Sequence, residues 1–385
     1  MRILAAWRRP PAPWIATARL SPATGWKRAA SPRARRCSIR RRRREEDVVV
    51  SSSTEQHLPI GVDSPWLAPL AGYSDLAFRL LCREQGAAVA CTEMVSAKGL
   101  AYRSPGTAPL LETCPQDSPL VVQLFGAEEE FLVRGVAELS GRGFAWFDLN
   151  AGCPVPKVVK TGAGAGMIRT VEDRANLAAI TRAMVREAGE GRVGVKFRMG
   201  FHAADDTAVE TALLLQDAGA AWLTIHPRYA RQGYAGVSRW EVTRKVVESV
   251  SIPVIASGDL FSAEDAHRCV AETGVSGVMF ARGALRDPLV FAKYLGRMNE
   301  EPDRNALAAL VRRHAELCRT YGDQHRSLLK MRTFVPRYVK NLEDASNLRK
   351  RLIACKTWSC IEEVAAAIDG SAPVKTAGEP SDQKE

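Results

Sequence analysis

Cys153 stands between Gly152 and Pro154, at the end of the apolar run WFDLNAG (146–152) and just ahead of a second proline, Pro156. A thiol in a stiff turn at a strand end is either inert packing or chemistry. Its unperturbed pKa is about 8.5, so at neutral pH it is mostly protonated and able to act as a general acid. Lys196 interrupts another apolar run, VGVKFRM (193–199). An ammonium flanked by apolar residues on a buried strand needs an anionic or carbonyl partner, which marks Lys196 as functional. Gln123 lies within LVVQLFG (120–126), His226 near the end of WLTIHP (222–227), and Asn150 three residues before the cysteine. A lone Gln or His in such a place is often structural, so their weight depends on what gathers around them.

The elements that carry these residues alternate regularly. Short apolar runs at 66–72, 88–93, 120–126, 146–152, 193–199, 222–227, 253–258 and 277–282 predict eight strands. Amphipathic stretches at 75–86, 128–141, 171–188, 205–218, 238–249 and 262–273 predict the helices between them, with 287–298 after the eighth strand. Nearly continuous apolar strands, each followed by a crossover, predict a parallel sheet covered on both faces. Eight of them close a (β/α)8 TIM barrel, whose usual size is about 250 residues. An open doubly wound sheet is the alternative, but the first turn, APLAGYSD (68–75), has no GxGxxG.

Barrel active sites lie at the C-terminal strand ends. Glu93, Gln123, Asn150, Cys153, Lys196, Arg198, His226 and Arg228 all fall there. After strands seven and eight come Ser257-Gly258-Asp259 and Ala281-Arg282-Gly283. Small residues at those turns let a backbone approach a phosphate, and Arg282 adds a charge. A phosphate on one side, with Gln123, Lys196 and His226 across the mouth, suits flavin mononucleotide (FMN). Gln123 would meet the pyrimidine edge, and Lys196 the negative charge of the reduced ring. Cys153 would supply the proton that a hydride donor does not.

The motifs APLAGYSD (68–75), CTEMVSAKGL (91–100), VVQLFG (121–126), DLNAGCPVPKV (148–158), GVKFRMG (194–200), TIHPRYARQGYAG (224–236), PVIASGD (253–259) and GVMFARGAL (277–285) make the chain resemble the tRNA-dihydrouridine synthase family. The resemblance spans about residues 64–295. It implies NAD(P)H-dependent reduction of the C5–C6 double bond of specific uridines in tRNA, with hydride from reduced FMN and the proton from Cys153. By that pattern Pro69, Leu70, Ala71, Gln123, Lys196 and His226 hold the flavin ring and ribityl chain. Ser257, Gly258, Asp259, Ala281 and Arg282 hold its phosphate. Asn150 orients the target base, and Lys157 and Arg228 contact flavin or RNA phosphate. No metal is implied. The sequence departs from the family at Ser257, where Asn is usual, at Pro227 between His226 and Arg228, and in the run Gly-Ala-Gly-Ala-Gly at 162–166, which is expected to loosen the cysteine loop.

The charge is unevenly spread. Residues 1–44 contain fourteen Arg and Lys and no acid, ending in RRRRR (40–44), whereas the other 341 residues carry 40 basic against 43 acidic side chains. Residues 1–60 are therefore expected to be a disordered Arg-rich segment. A targeting segment, a nucleic-acid arm and translation from an upstream start codon all fit it. Residues 64–300 are the expected barrel. Residues 302–370 show no strand signals, and helices are expected near 303–321, 323–342 and 345–368. Between 304 and 356 stand 13 basic and four acidic residues, which reads as a helical tRNA-binding domain. Residues 371–385 are expected to be a frayed tail. Nine cysteines without a CxxC spacing fit a reduced, cytoplasmic protein, and no apolar run is long enough for a membrane span. A monomer is expected. Two other functions compete: an FMN barrel acting on free pyrimidines, and a non-catalytic RNA-binding protein on the same scaffold.

Overall fold

The computed structural model describes residues 57–203 and 206–371. Most of the expected disordered segment and nearly all of the expected frayed tail lie outside the described residues. All strands are parallel: β1 (Trp66–Leu67), β2 (Val89–Cys91), β3 (Val95–Ser96), β4 (Leu120–Phe125), β5 (Trp146–Ala151), β6 (Val193–Gly200), β7 (Trp222–Tyr229), β8 (Val254–Ser257) and β9 (Gly277–Phe280). β1 pairs with β9 at Trp66 and Met279, and β2 pairs with β4 at Ala90 and Leu120, which closes the ring. The second of the eight staves is in two pieces, β2 and β3, and β3 rejoins β4 at Val95 and Leu124. The barrel is thus the expected one, with a shortened first strand. Leu70 ends that strand in a turn, its carbonyl accepting from Tyr73 N at 2.8 Å and Ser74 N at 2.9 Å.

Around the barrel run α1 (Leu76–Glu84), α2 (Ala97–Ala101), α3 (Glu129–Gly141), α4 (Pro156–Val159), α5 (Val171–Ala188), α6 (Ala208–Asp217), α7 (Trp240–Ser249), α8 (Ala263–Thr273), α9 (Arg282–Arg286) and α10 (Val290–Tyr294). Asp75, Thr170 and Ser262 cap α1, α5 and α8 by accepting from a backbone N–H three residues on. Of the helix expected at 287–298 only the short α10 forms, and α9 precedes it directly after β9.

The barrel interior explains why the site lies at one end. Side chains alternate between faces along a strand, so every second residue points inward. At the N-terminal end those positions hold Trp66, Val89, Val121, Trp146, Trp222, Ile255 and Met279, one apolar cluster. Trp66 and Trp222 lie 5.8 Å apart by ring centroids. Gly194 makes room for the indole of Trp222, which any Cβ at 194 would strike. Two and four residues further along the same inward faces stand Gln123, Asp148, Asn150, Lys196, Arg198 and His226. The bottom is plugged and apolar, and the top is polar.

The C-terminal segment folds as α11 (Arg304–Tyr321), α12 (Gln324–Tyr338), α13 (Ala345–Ala354) and α14 (Trp358–Ile368). The last expected helix is broken at 355–357, where Thr357 caps α14 by accepting from Cys360 N. This segment packs on the barrel through apolar contact. Phe78 of α1 stacks on Phe334 of α12 at 4.8 Å, and Tyr73 meets Phe334 edge-on at 5.5 Å. Among the described residues no helix is long and apolar enough to cross a membrane.

Candidate active site at the barrel mouth

A cavity of about 360 Å³ opens at the C-terminal end of the barrel. Pro69, Leu70 and Ala71 line it after β1, and Gln123, Asn150 and Cys153 line it from β4 and the end of β5. Lys196, His226 and Arg282 also face it. A narrower arm of about 90 Å³ runs from Lys196 and His226 to Ser257, Gly258, Asp259, Ala281 and Arg282. The structure thus gathers the residues expected at the ring, the phosphate and the proton donor around two adjoining cavities that share Lys196, His226 and Arg282. Lys157 is exposed on α4 and does not line it.

Register and hydrogen bonds fix the cysteine turn. Gln123 lies opposite Asp148, and Asn150 opposite Lys196. Gln123 Nε2 donates to Asp148 Oδ2 at 2.7 Å, and Asn150 Nδ2 donates to Gln123 Oε1 at 2.8 Å. Asn150 Oδ1 accepts from Gly152 N at 3.1 Å and Cys153 N at 2.9 Å. Arg198 Nε donates to Gly152 O at 2.9 Å and Arg198 Nη1 to Gly233 O at 2.8 Å, tying this turn to the loop after β7. Burial pushes the Cys153 thiol above its ordinary value, and the Val155 N–H and the Arg198 charge oppose that only in part. Cys153 is therefore held as a protonated thiol.

The glycine run corrects the expectation of a loose loop. Gly164–Ile168 form a buried 3-10 turn, and Ala165 N donates to Cys153 O at 3.0 Å. Gly164 has φ of +58°, and a Cβ there would lie 2.7 Å from Cys153 O and 2.9 Å from Val158 Cγ1. The small residues serve close approach rather than mobility.

Lys196 makes no hydrogen bond or ion pair with a described residue. Its expected anionic partner is Asp148, felt through charge. Burial lowers the lysine and raises the carboxyl, and each charge partly restores the other. Asp148 Oδ1 is buried without a hydrogen-bond partner. Asp148 escaped the sequence reading, although its spacing of two from Asn150 on one strand is the signal that both face inward.

Arg228, expected at a flavin or RNA phosphate, is bonded within the protein. Its guanidinium is 1% exposed, and all five N–H groups are committed within the protein. They reach Ala235 O, Ser238 Oγ, His226 Nε2, Gly236 O and Asp259 Oδ2, the last at 2.6 Å. No group is left for an RNA phosphate. Because Arg228 can only donate, His226 Nε2 must carry the lone pair and Nδ1 the proton. Burial, with several cations around it, holds His226 well below its ordinary pKa, so it is neutral. Asp259 sits at φ +57°, where it accepts from Arg228, Ser238 N and Arg282 Nη2. Asn150 likewise spends its oxygen on two backbone N–H groups.

The Dihydrouridine synthase (Dus) family profile matches residues 66–369. The chain belongs to this family. It is 36% identical over 292 residues to the probable tRNA-dihydrouridine synthase 1 of Synechocystis sp., covering 74% of this chain and 80% of that protein. It is 32% identical over 333 residues to the probable tRNA-dihydrouridine synthase of Mycobacterium tuberculosis, covering 82% and 85%. Against tRNA-dihydrouridine synthase B of Pseudomonas aeruginosa the identity is 33% over 265 residues, covering 67% and 78%. The family is one of oxidoreductases, and the match runs through the barrel and the helices behind it.

Proposed function

We propose that the protein is a tRNA-dihydrouridine synthase, which reduces the C5–C6 double bond of uridines in tRNA with bound FMN and with NADPH as reductant. The observation that carries this reading, in a chain of the dihydrouridine synthase family, is the convergence on one barrel-mouth cavity of a protonated thiol and an ammonium that has no hydrogen-bond partner among the described residues. When bound, the flavin supplies the hydride that goes to C6 of the uracil.

The residues fit such a group. Pro69, Leu70 and Ala71 form a wall of little bulk for a flat ring. Gln123, after its bonds to Asp148 and Asn150, keeps one N–H and one lone pair for a pyrimidine edge. His226 offers an Nδ1–H. Lys196 brings a charge that offsets an anionic ring, and the Asp148 charge beneath partly opposes the lowering that burial imposes on that lysine. In the narrow arm, the turns at Ser257-Gly258-Asp259 and Ala281-Arg282 take the phosphate. The Asp259 charge there is already balanced by Arg228 and Arg282.

Cys153 gives its proton to C5. Asn150 and Arg198 hold the turn that aims it, so Asn150 is read here as an anchor of the cysteine as well as a neighbour of the base. Removing a uridine from its stack costs a few kcal/mol, which contacts elsewhere on the tRNA offset. The helices α11–α14 are the proposed tRNA-binding domain. Arg326 and Lys350 are exposed on them and Lys340 in the turn between α12 and α13, whereas Lys330 is turned inward to Asp75 at 2.6 Å.

The test uses the purified holoprotein, NADPH and unmodified tRNA. Uridines gaining two hydrogens by mass, with matching NADPH oxidation, are expected. Protein that takes up no FMN refutes the reading, and comparable turnover of free uracil replaces it with a small-molecule reductase.

A further inference from the structure

Beside the cavity, and sharing Pro154, Val155 and Tyr234 with it, lies a second recess of about 630 Å³. Its floor is apolar, built from Phe201, Ala230 and Val159, which pack as a small cluster of their own. Its rim carries Lys160, Arg169 and Arg231, all exposed, and among the described residues no carboxylate lines it. The guanidiniums of Arg169 and Arg231 lie 5.8 and 5.6 Å from the centroid of the buried Phe201 ring. The Arg231 side chain hydrogen-bonds none of the described residues. Arg169 shares only a half-exposed pair with Asp173 at 3.3 Å, an interaction of little strength in water. The shared wall is unusually apolar for a surface, with Val155 49% and Tyr234 60% exposed.

The place of the recess in the ring adds to this. It is made by the loops after β5, β6 and β7. The helices α11–α14 join the barrel at α1 and α9, beside β1 and β9, and β6 stands opposite β1 in the ring. A substrate held only by the helices would be gripped on one side of the mouth. An apolar floor, an exposed aromatic ring and three cations, with no acid among the described lining residues, are what single-stranded nucleic acid requires: faces for bases and charges for phosphates.

We propose that this recess is a second RNA site that holds nucleotides flanking the target uridine. Tyr234 and the Val155 edge take a base face, and Lys160, Arg169 and Arg231 take phosphates. The tRNA then spans the mouth from the helices to the recess, with the target base over the cavity between. This rests on the reading that tRNA is the substrate.

The test compares wild-type holoenzyme with the Arg169→Gln/Arg231→Gln double variant, and with Arg231→Gln on its own in case the double variant folds poorly. Arg244→Gln, on the outer wall at α7, controls for net charge. The KM for tRNA is expected to rise roughly tenfold in the double variant, with the change on KM rather than kcat. The slope of log(kcat/KM) against log salt is expected to fall by about two, one for each lost phosphate contact. The control should show neither change. Unaltered tRNA KM and salt slope overturn the proposal, as does a rise in the KM for NADPH in their place, which would assign the recess to the dinucleotide. A wild-type protein that does not modify tRNA at all defeats the functional reading instead, so the two failures are distinguishable.

Discussion

Replacing Asn150 with alanine tests the cysteine turn most directly. The change deletes the oxygen that accepts from Gly152 N at 3.1 Å and Cys153 N at 2.9 Å. Each such bond contributes about 0.5–1.5 kcal/mol net, so the two hold the turn by roughly 1–3 kcal/mol. If that energy is what keeps the thiol in reach of C5, its loss lowers turnover by about 5- to 150-fold, at 1.36 kcal/mol per decade. The variant also leaves Gln123 Oε1 without its partner, a further cost of about 1–3 kcal/mol to stability. Circular dichroism and a urea titration establish that the protein remains folded. The assay then separates two half-reactions: NADPH-driven bleaching of the flavin, which does not use Cys153, and tRNA-dependent turnover, which does. Turnover should fall while bleaching keeps its rate. Turnover within twofold of wild type would refute the anchoring argument. An equal fall in both half-reactions would mean that the amide acts on the flavin rather than on the turn.

Cys153 should keep tRNA turnover flat as pH rises past the ordinary thiol range, because the acid form is active and burial has raised its pKa; a fall in kcat centred at the ordinary value would remove it as the acid. Cys153→Ala should lose about 100- to 10,000-fold in kcat yet retain the bound flavin. Lys196→Met leaves the buried Asp148 charge without its partner, a cost of about 3–5 kcal/mol where that carboxylate is ionised. A carboxyl raised in the folded state binds its proton more tightly there, so the stability deficit of Lys196→Met, read by urea melts, should shrink as pH falls below neutrality. A deficit independent of pH would deny the pairing. Gly164→Ala places a Cβ 2.7 Å from Cys153 O in a left-handed conformation, so both stability and turnover should drop; wild-type turnover would show that the turn tolerates displacement.

Much of this molecule follows from the linear order of residues. Apolar runs alternating with amphipathic stretches determine a parallel barrel, because each strand must bury both faces and each helix one. A cysteine between Gly152 and Pro154, and a lysine within VGVKFRM, stand out locally because a charge or thiol in apolar company requires an explanation. The bounds of the first strand and of 287–298 were less legible, since turns such as that at Leu70 depend on hydrogen bonds with neighbours already in place. What only the tertiary structure decided are the pairings. Asp148 became the partner of Lys196 because barrel closure sets their strands side by side with both residues facing inward. Arg228 changed from a candidate RNA contact to the group that orients His226, because the loop at 235–238 and Asp259 close over it. The glycine run at 162–166 became packing against Cys153 rather than slack. A sequence lists hydrogen-bonding groups, but whether each is spent inside the protein or left for a ligand depends on neighbours brought close only by the closed barrel.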